Sequence, residues 1–138
     1  MAKNKIIAGV DEVGRGSWIG PVFSAAVILN KKINNNILKD SKKISYENRL
    51  KLSDYIKANS YFAIARASVK EIEKKNILQA TLLSMKRAIK KLNKNPDLIL
   101  VDGNHVPKIN NIKIKAIIRG DEIIPSISAA SIIAKVAR

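Results

Sequence analysis

The sequence lacks cysteine altogether and has a single histidine among its 138 residues. The absence of cysteine excludes a disulfide scaffold and a thiolate metal site, and it suits a reducing compartment. Long apolar runs are missing as well. Residues 6–10 are too few for the core of a signal peptide, and residues 22–29 are too few to span a bilayer. We therefore expect a cytoplasmic protein that does not bind a membrane.

Acidic residues are scarce beside basic ones. The chain has 11 Asp and Glu against 26 Lys and Arg, a formal net charge of +15. Such an excess attracts polyanions and favours nucleic acid over acidic protein partners. A compositional bias toward Lys and Asn, visible in the Asn tract at residues 34–36, would give the same balance. Charge alone leaves both interpretations open, because net charge governs association rather than fold or chemistry.

The apolar pattern predicts one α/β domain over residues 1–138, a length suited to a single domain. Short β-branched or alternating segments indicate five strands, at residues 5–10, 22–29, 61–69, 98–101 and 113–118. Helices are expected after the capping residues Ser45, Ser68 and Asn76, and over residues 126–138. The polar segment 33–43 is predicted to be a loop.

The connections between these elements predict the topology. The first two or three strands are joined by short connections and are expected to pair antiparallel. The fourth follows a long helical crossover, so it can run parallel to the first. The result is an α/β fold with a central mixed five-stranded sheet flanked by helices.

Four acidic residues come at or just after the ends of predicted strands: Asp11 and Glu12 after the first, Asp102 after the fourth and Asp121 after the fifth. If the first and fourth strands are neighbours, Asp11 and Asp102 meet at one edge of the sheet, where ligands bind in such folds. Carboxylates gathered there repel one another, and a bound Mg²⁺ or Mn²⁺ removes that conflict. Each acid alone could equally be a turn former or helix cap. The adjacent pair at the end of an apolar strand favours a metal site.

Two further segments have residues suited to binding a phosphodiester. Gly14, Arg15 and Gly16 combine a closely approachable backbone with a guanidinium, although three such residues also make an ordinary tight turn. Lys42 and Lys43 form a basic cluster that could contact phosphates or lie in a solvated loop.

Other polar and aromatic residues give weaker indications of function. The basic residues of the helix after Asn76 are expected to form a solvated face: Lys86, Arg87, Lys90 and Lys91. His105 is interpreted as incidental. Trp18 could stack on a base or sugar or pack against the sheet.

Seven short segments, in this order, resemble the ribonuclease HII family, the type 2 ribonucleases H. They are AGVDEVGRG at 8–16, GPV at 20–22, DSKKIS at 40–45, NILQAT at 76–81, VDGN at 101–104, GD at 120–121 and SAASIIAKV at 128–136. Each is short, but they are spread in this order across almost the whole chain, and together they are highly specific.

The resemblance implies an RNase H-like fold and a metal-dependent endonuclease. Its substrates would be RNA/DNA hybrids and duplex DNA carrying single ribonucleotides, and its cofactors two Mn²⁺ or Mg²⁺ ions. By motif position, the implied catalytic and metal-binding residues are Asp11, Glu12, Asp102 and Asp121. The implied substrate-binding residues are Gly14, Arg15, Gly16, Lys42, Lys43 and Asn104. We also expect a monomer.

The chain departs from the family pattern in three places. Ser17 stands where proline is common, and Ala137 where threonine is usual. The family also continues past Arg138, while the last predicted helix keeps its apolar pattern without a glycine cap or proline stop. We therefore expect the domain to be incomplete at its C-terminal end, without the further helices and the ribose-sensing tyrosine of the family.

Two alternatives remain beside the enzyme. One is a basic nucleic-acid-binding remnant of the family without catalysis, which the ending of the chain favours. The other is a general metal-dependent nuclease or a ribosomal-type binder, which the match of the glycine segment to the family disfavours.

Overall fold

In the computed structural model, which describes residues 5–14, 20–31, 33, 35–39 and 43–138, five strands form one mixed sheet. The strands are β1 (Ile7–Val13), β2 (Val22–Leu29), β3 (Ser60–Ala67), β4 (Leu98–Asp102) and β5 (Lys113–Ile117). The helices are α1 (Asn36–Lys39), α2 (Tyr46–Ala58), α3 (Val69–Lys75), α4 (Ile77–Lys91), α5 (Gly120–Ile123) and α6 (Pro125–Ala137). None of the helices in these ranges is long and apolar enough to cross a membrane.

The sheet has the strand order β3-β2-β1-β4-β5, with β1 at its centre. β2 pairs antiparallel with both β1 and β3, while β4 pairs parallel with both β1 and β5. The predicted mixed five-stranded sheet is therefore confirmed, including the parallel first and fourth strands. This pairing brings the carboxyl ends of β1, β4 and β5 to the same end of the sheet.

Side chains alternate between the two faces of the sheet along every strand. Both faces therefore carry apolar side chains, and each face packs against a helix. Val10 and Val101 point to one face and belong to an apolar cluster with Met85 of α4. Ala25 points to the other face and clusters with Ile133 of α6. Ile133 is fully buried, and burying a side chain of this size stabilises the fold by about 1.5–3 kcal/mol.

The backbones of β1 and α6 touch at Gly9. A Cβ atom added there would overlap the carbonyl carbon of Ser126 and the amide nitrogen of Ile127. Only glycine permits this approach, which fixes where α6 begins relative to the central strand.

Several strand boundaries and two short helices differ from the sequence-based expectations. β1 continues to Val13, so Asp11 and Glu12 lie inside the strand, because its ladder with β2 continues through these polar residues. β4 likewise ends on Asp102. The predicted loop 33–43 contains α1, which tertiary contacts hold: Leu38 is buried and its carbonyl accepts a 3.0 Å hydrogen bond from Ser128 Oγ. The helix α5 has only four residues, which is too short to show the periodic apolar pattern of a helix in the sequence.

The helix caps were predicted correctly. The hydroxyls of Ser45 and Ser68 and the side chain of Asn76 each accept a backbone N–H of the following helix. Arg87 was interpreted wrongly as part of a solvated face. Its guanidinium donates to both carboxylate oxygens of Glu71, at 2.8 and 2.6 Å, because the Ser68 cap holds that carboxylate within reach of α4.

Candidate metal centre

Asp11 and Asp102 lie side by side at the carboxyl ends of neighbouring parallel strands. Val10 pairs with Val101 in the β1–β4 ladder, so the next residue of each strand is one of these two aspartates. Both side chains point to the face that α6 covers, because they follow the alternation set by the buried valines. Asp11 is only 5% exposed, whereas Asp102 is half-buried.

Asp121 reaches the same place from α5. The chain turns sharply after β5, with Arg119 in a left-handed conformation at φ 57° and Gly120 buried beneath α6. The backbone N–H of Asp121 then donates a 3.3 Å hydrogen bond to Oδ1 of Asp102. A Cβ atom added at residue 120 would lie 2.5 Å from Cδ1 of Ile127, so any side chain there would require Ile127 or the turn to shift.

The carboxylates of Asp11, Asp102 and Asp121 form one cluster, in which one oxygen from each lies within 4.8 Å of the others. The donors are all hard oxygen atoms, which suit Mg²⁺ or Mn²⁺ better than softer metals. Three carboxylates at such distances are also electrostatically unfavourable without a cation. The donor set therefore fits a divalent metal ion.

The electrostatics of Asp11 support this reading. Burial and the nearby charges of Asp102, Glu12 and Asp121 together raise its pKa from 3.8 to about 8, and burial is the largest cause. The backbone N–H of Glu12, which donates to Asp11 Oδ1 at 2.8 Å, partly offsets the increase. Without a metal, Asp11 retains its proton near neutral pH. A bound cation favours the ionised form.

Glu12 occupies a different position from its neighbour. Successive side chains of a strand point to opposite faces, and Glu12 pairs with Ser24, which faces α4 and hydrogen-bonds to Ser84. Glu12 is accordingly not one of the three clustered carboxylates. Its charge nevertheless lies close enough to raise the pKa of Asp11.

The predicted substrate-binding residues are placed only in part. Gly14 directly follows β1 with φ 102°, and Nε of Arg138 lies 3.7 Å from the position of a Cβ added there. Lys43 and Asn104 are both exposed, the second in the turn after β4. The predicted contacts of Arg15, Gly16 and Lys42 lie outside the described residues, as does Trp18. His105 is exposed, and it is not in the carboxylate cluster.

A cavity of about 830 Å³ lies away from this cluster. Its lining includes Ile7, Leu29 and Tyr61, which lie at the end of the sheet opposite to the carboxylates. None of the three carboxylates lines the cavity. We place the candidate site at the carboxylates, because its chemistry depends on converging ionisable groups rather than on cavity volume.

Sequence reasoning missed Gly120 and Gly9 as determinants of the site. Gly120 directly precedes Asp121, so the Gly-Asp pair held a signal for close packing against α6 as well as for the acid. Gly9 carried no local signal, because the need for glycine arises from a helix more than a hundred residues away.

Comparison with known proteins finds relatives over nearly the whole chain. The sequence profile of the family described as Ribonuclease HII matches residues 8–138. A ribonuclease HII of Pelagibacter ubique is 62% identical over 134 residues, which are 97% of this chain and 72% of that relative.

Solved structures agree with the sequence matches. The chain is similar to the ribonuclease HII of Archaeoglobus fulgidus in its complex with PCNA, with a TM-score of 0.84 at 30% identity, covering 96% of this chain and 72% of that one. It is also similar to the ribonuclease H2 of Pyrococcus horikoshii, with a TM-score of 0.82 at 29% identity, covering 96% of this chain and 71% of that one. The predicted RNase H-like fold is confirmed.

Proposed function

The chain belongs to the ribonuclease HII family, and from this premise we propose that it is a metal-dependent endonuclease for ribonucleotides in duplexes. It would hydrolyse the RNA strand of RNA/DNA hybrids and cut beside single ribonucleotides embedded in duplex DNA. The observation that carries the metal dependence is the cluster of Asp11, Asp102 and Asp121, whose carboxylate oxygens lie within 4.8 Å of one another.

Each acidic residue has a role in this proposal. Asp11 and Asp102 hold the metal ions directly, since their side chains share one face at the ends of β1 and β4. Asp121 completes the cluster from α5, and Glu12 contributes charge from beside it. Two Mn²⁺ or Mg²⁺ ions, when bound, would stabilise both the attacking water and the leaving oxygen of a phosphodiester.

Substrate recognition depends on the segments around this cluster. Gly14 is buried directly after β1, and we expect the sequence segment that it opens, with Arg15 and Gly16, to contact the nucleic acid. The exposed side chains of Lys43 and Asn104, together with Lys42, would contact the duplex backbone. Selection of RNA over DNA requires a contact to the ribose 2′-OH, and phosphate contacts by lysines make affinity salt-dependent.

The test compares three duplexes of one sequence: an RNA/DNA hybrid, DNA with one ribonucleotide, and DNA alone. We expect the first two to be cut with Mn²⁺ or Mg²⁺, no cutting with chelator, and none of the all-DNA duplex. The Asp11→Asn variant should bind the hybrid but cut it about a thousandfold more slowly, because loss of a metal ligand removes several kcal/mol of transition-state stabilisation. Binding by the wild-type chain without any metal-dependent cut would instead favour a non-catalytic nucleic-acid-binding function.

Assembly and location are part of the same proposal. We propose that the catalytic domain acts as a monomer in the cytoplasm. Sedimentation equilibrium of the purified chain tests the first point, and a mass of twice 15.2 kDa would contradict it.

A further inference from the structure

Arg119 has a backbone conformation that is unusual for its residue type. Among the described residues, three non-glycine residues have positive φ: Asn76, Asn111 and Arg119. Asn76, at φ 87° and ψ 164°, lies outside the left-handed helical region. Asn111, at φ 68°, belongs to a residue type that enters the left-handed region readily, because its short polar side chain can hydrogen-bond locally. Arginine has no such compensation, so its place at φ 57° and ψ 35° carries an energetic cost.

The left-handed turn itself is needed for the candidate metal centre. It redirects the chain from β5 so that Gly120 fits beneath Ile127 and the N–H of Asp121 reaches Asp102. Glycine or asparagine at residue 119 would form the same turn at a lower cost. The requirement for the turn therefore does not explain the guanidinium group.

The guanidinium is available for a ligand. Arg119 is exposed, and within the described ranges the structure gives it no hydrogen bond or ion pair through its side chain. Two acidic residues, Asp121 and Glu122, follow Arg119 and Gly120 directly in the sequence. An exposed arginine at the start of the helix that carries Asp121 supplies positive charge on the same segment as one of the clustered carboxylates, and a guanidinium suits a phosphate.

We propose that Arg119 binds a backbone phosphate of the substrate next to the phosphodiester held at the Asp11–Asp102–Asp121 cluster. This inference rests on the proposed function, and it adds a substrate contact at the β5 side of the site, opposite the Gly14 side. Strained residues that persist beside a site often take part in its function.

The test separates the charge of Arg119 from its backbone conformation. Arg119→Asn removes the charge but keeps a residue that tolerates the left-handed region, and Arg119→Gly removes both charge and strain. Arg119→Lys keeps the charge. Lys70→Gln, on exposed α3, is the control for net charge. Each variant is assayed on DNA with one ribonucleotide, with thermal melting to confirm folding.

We expect Arg119→Asn and Arg119→Gly to raise KM about tenfold, the effect of losing one charge-assisted hydrogen bond, with kcat and the Mn²⁺ requirement unchanged. The slope of log affinity against log salt, measured on the hybrid, should fall in magnitude by about 0.7–0.9. Arg119→Lys and Lys70→Gln should keep the wild-type values.

Two results would overturn this assignment. One is an unchanged KM and salt slope in Arg119→Asn. The other is a fall in kcat with a higher Mn²⁺ requirement, which would show that residue 119 acts only through the turn that places Asp121. If the wild-type chain neither binds nor cuts these duplexes, the proposed function fails first, so the two failures are distinguishable.

Discussion

The backbone N–H of Asp121 donates to the carboxylate of Asp102, joining residues 19 positions apart in the chain. This bond ties α5 to the end of β4 and fixes one oxygen of Asp102 in the cluster. A metal ion at this site would therefore bind carboxylates whose positions are already set by backbone, rather than by flexible side chains alone. Such preorganisation lowers the entropy that binding must overcome.

Gly120→Ala should weaken Mn²⁺ binding about tenfold. The added methyl group would lie 2.5 Å from Cδ1 of Ile127, so either that side chain or α5, which carries Asp121, must shift. Ile127→Val removes the Cδ1 atom, and the double variant should recover most of the affinity. Calorimetric titration with Mn²⁺ measures this. An unaltered affinity in Gly120→Ala, or no recovery in the double variant, would contradict the packing argument.

Gly9→Ala should destabilise the fold by about 3 kcal/mol, at the upper end of overpacking costs, because the new atom meets the backbone of α6 and no side chain can move aside. Gly20→Ala is the comparison. It has φ 106° but open space around it, so it should cost only about 1 kcal/mol of backbone strain. Urea denaturation measures both. Equal losses would show that the contact of Gly9 with α6 has no special weight.

Without metal, the stability of the fold should decrease between about pH 4 and pH 8 because of Asp11. Its pKa is about 8 in the folded chain against 3.8 for an ordinary carboxyl. The folded state thus retains a proton that the unfolded state releases across this range, and the free energy of unfolding falls as pH rises. Melting in chelator should show a flatter pH dependence for Asp11→Asn. Parallel curves for the two proteins would exclude this role.

The Arg87–Glu71 pair should stabilise the packing of α3 against α4 and lose its effect in acid. Hydrogen bonds from Arg87 and from the backbone N–H of Ser68 lower the pKa of Glu71 from 4.5 to about 2, and the bond from Arg87 is the larger cause. A lowered pKa means that the stabilisation is present above about pH 4.5 and is lost as pH falls toward 2.

Both side chains of this pair are partly exposed, so solvent screening keeps the effect small. Urea midpoints near neutral pH and near pH 3 should differ less in Arg87→Met than in the wild type. Lys90→Met, on the exposed side of the same helix, is the control. If the control and Arg87→Met behave alike, the pair contributes nothing specific.

Much of the fold could be predicted because local pattern and tertiary structure agree in the long elements. The capping side chains of Ser45, Ser68 and Asn76 marked three helix starts correctly. The two short helices could not be predicted. α1 depends on the burial of Leu38 and its bond to Ser128, and these contacts involve residues 90 positions apart.

The acidic residues of the candidate site could be picked out from the sequence, but the way they are arranged in space could not. Asp11 and Asp102 could be paired from the parallel order of their strands, and the structure brings them together with Asp121. The position of Glu12 relative to them depended on where β1 ends. The strand continues past both acids, so Asp11 and Glu12 alternate instead of turning together into one site.

Titration of the metal-free chain with Mn²⁺ tests the central claim most directly, since it reports the carboxylate cluster without requiring turnover. We predict that Asp11→Asn lowers the affinity about a hundredfold, that Glu12→Gln lowers it less, and that Lys70→Gln, which removes no carboxylate, leaves it unchanged. The first expectation follows from the loss of a charged, buried ligand. Equal Mn²⁺ binding by the wild type and Asp11→Asn would contradict the account of this cluster as a metal centre.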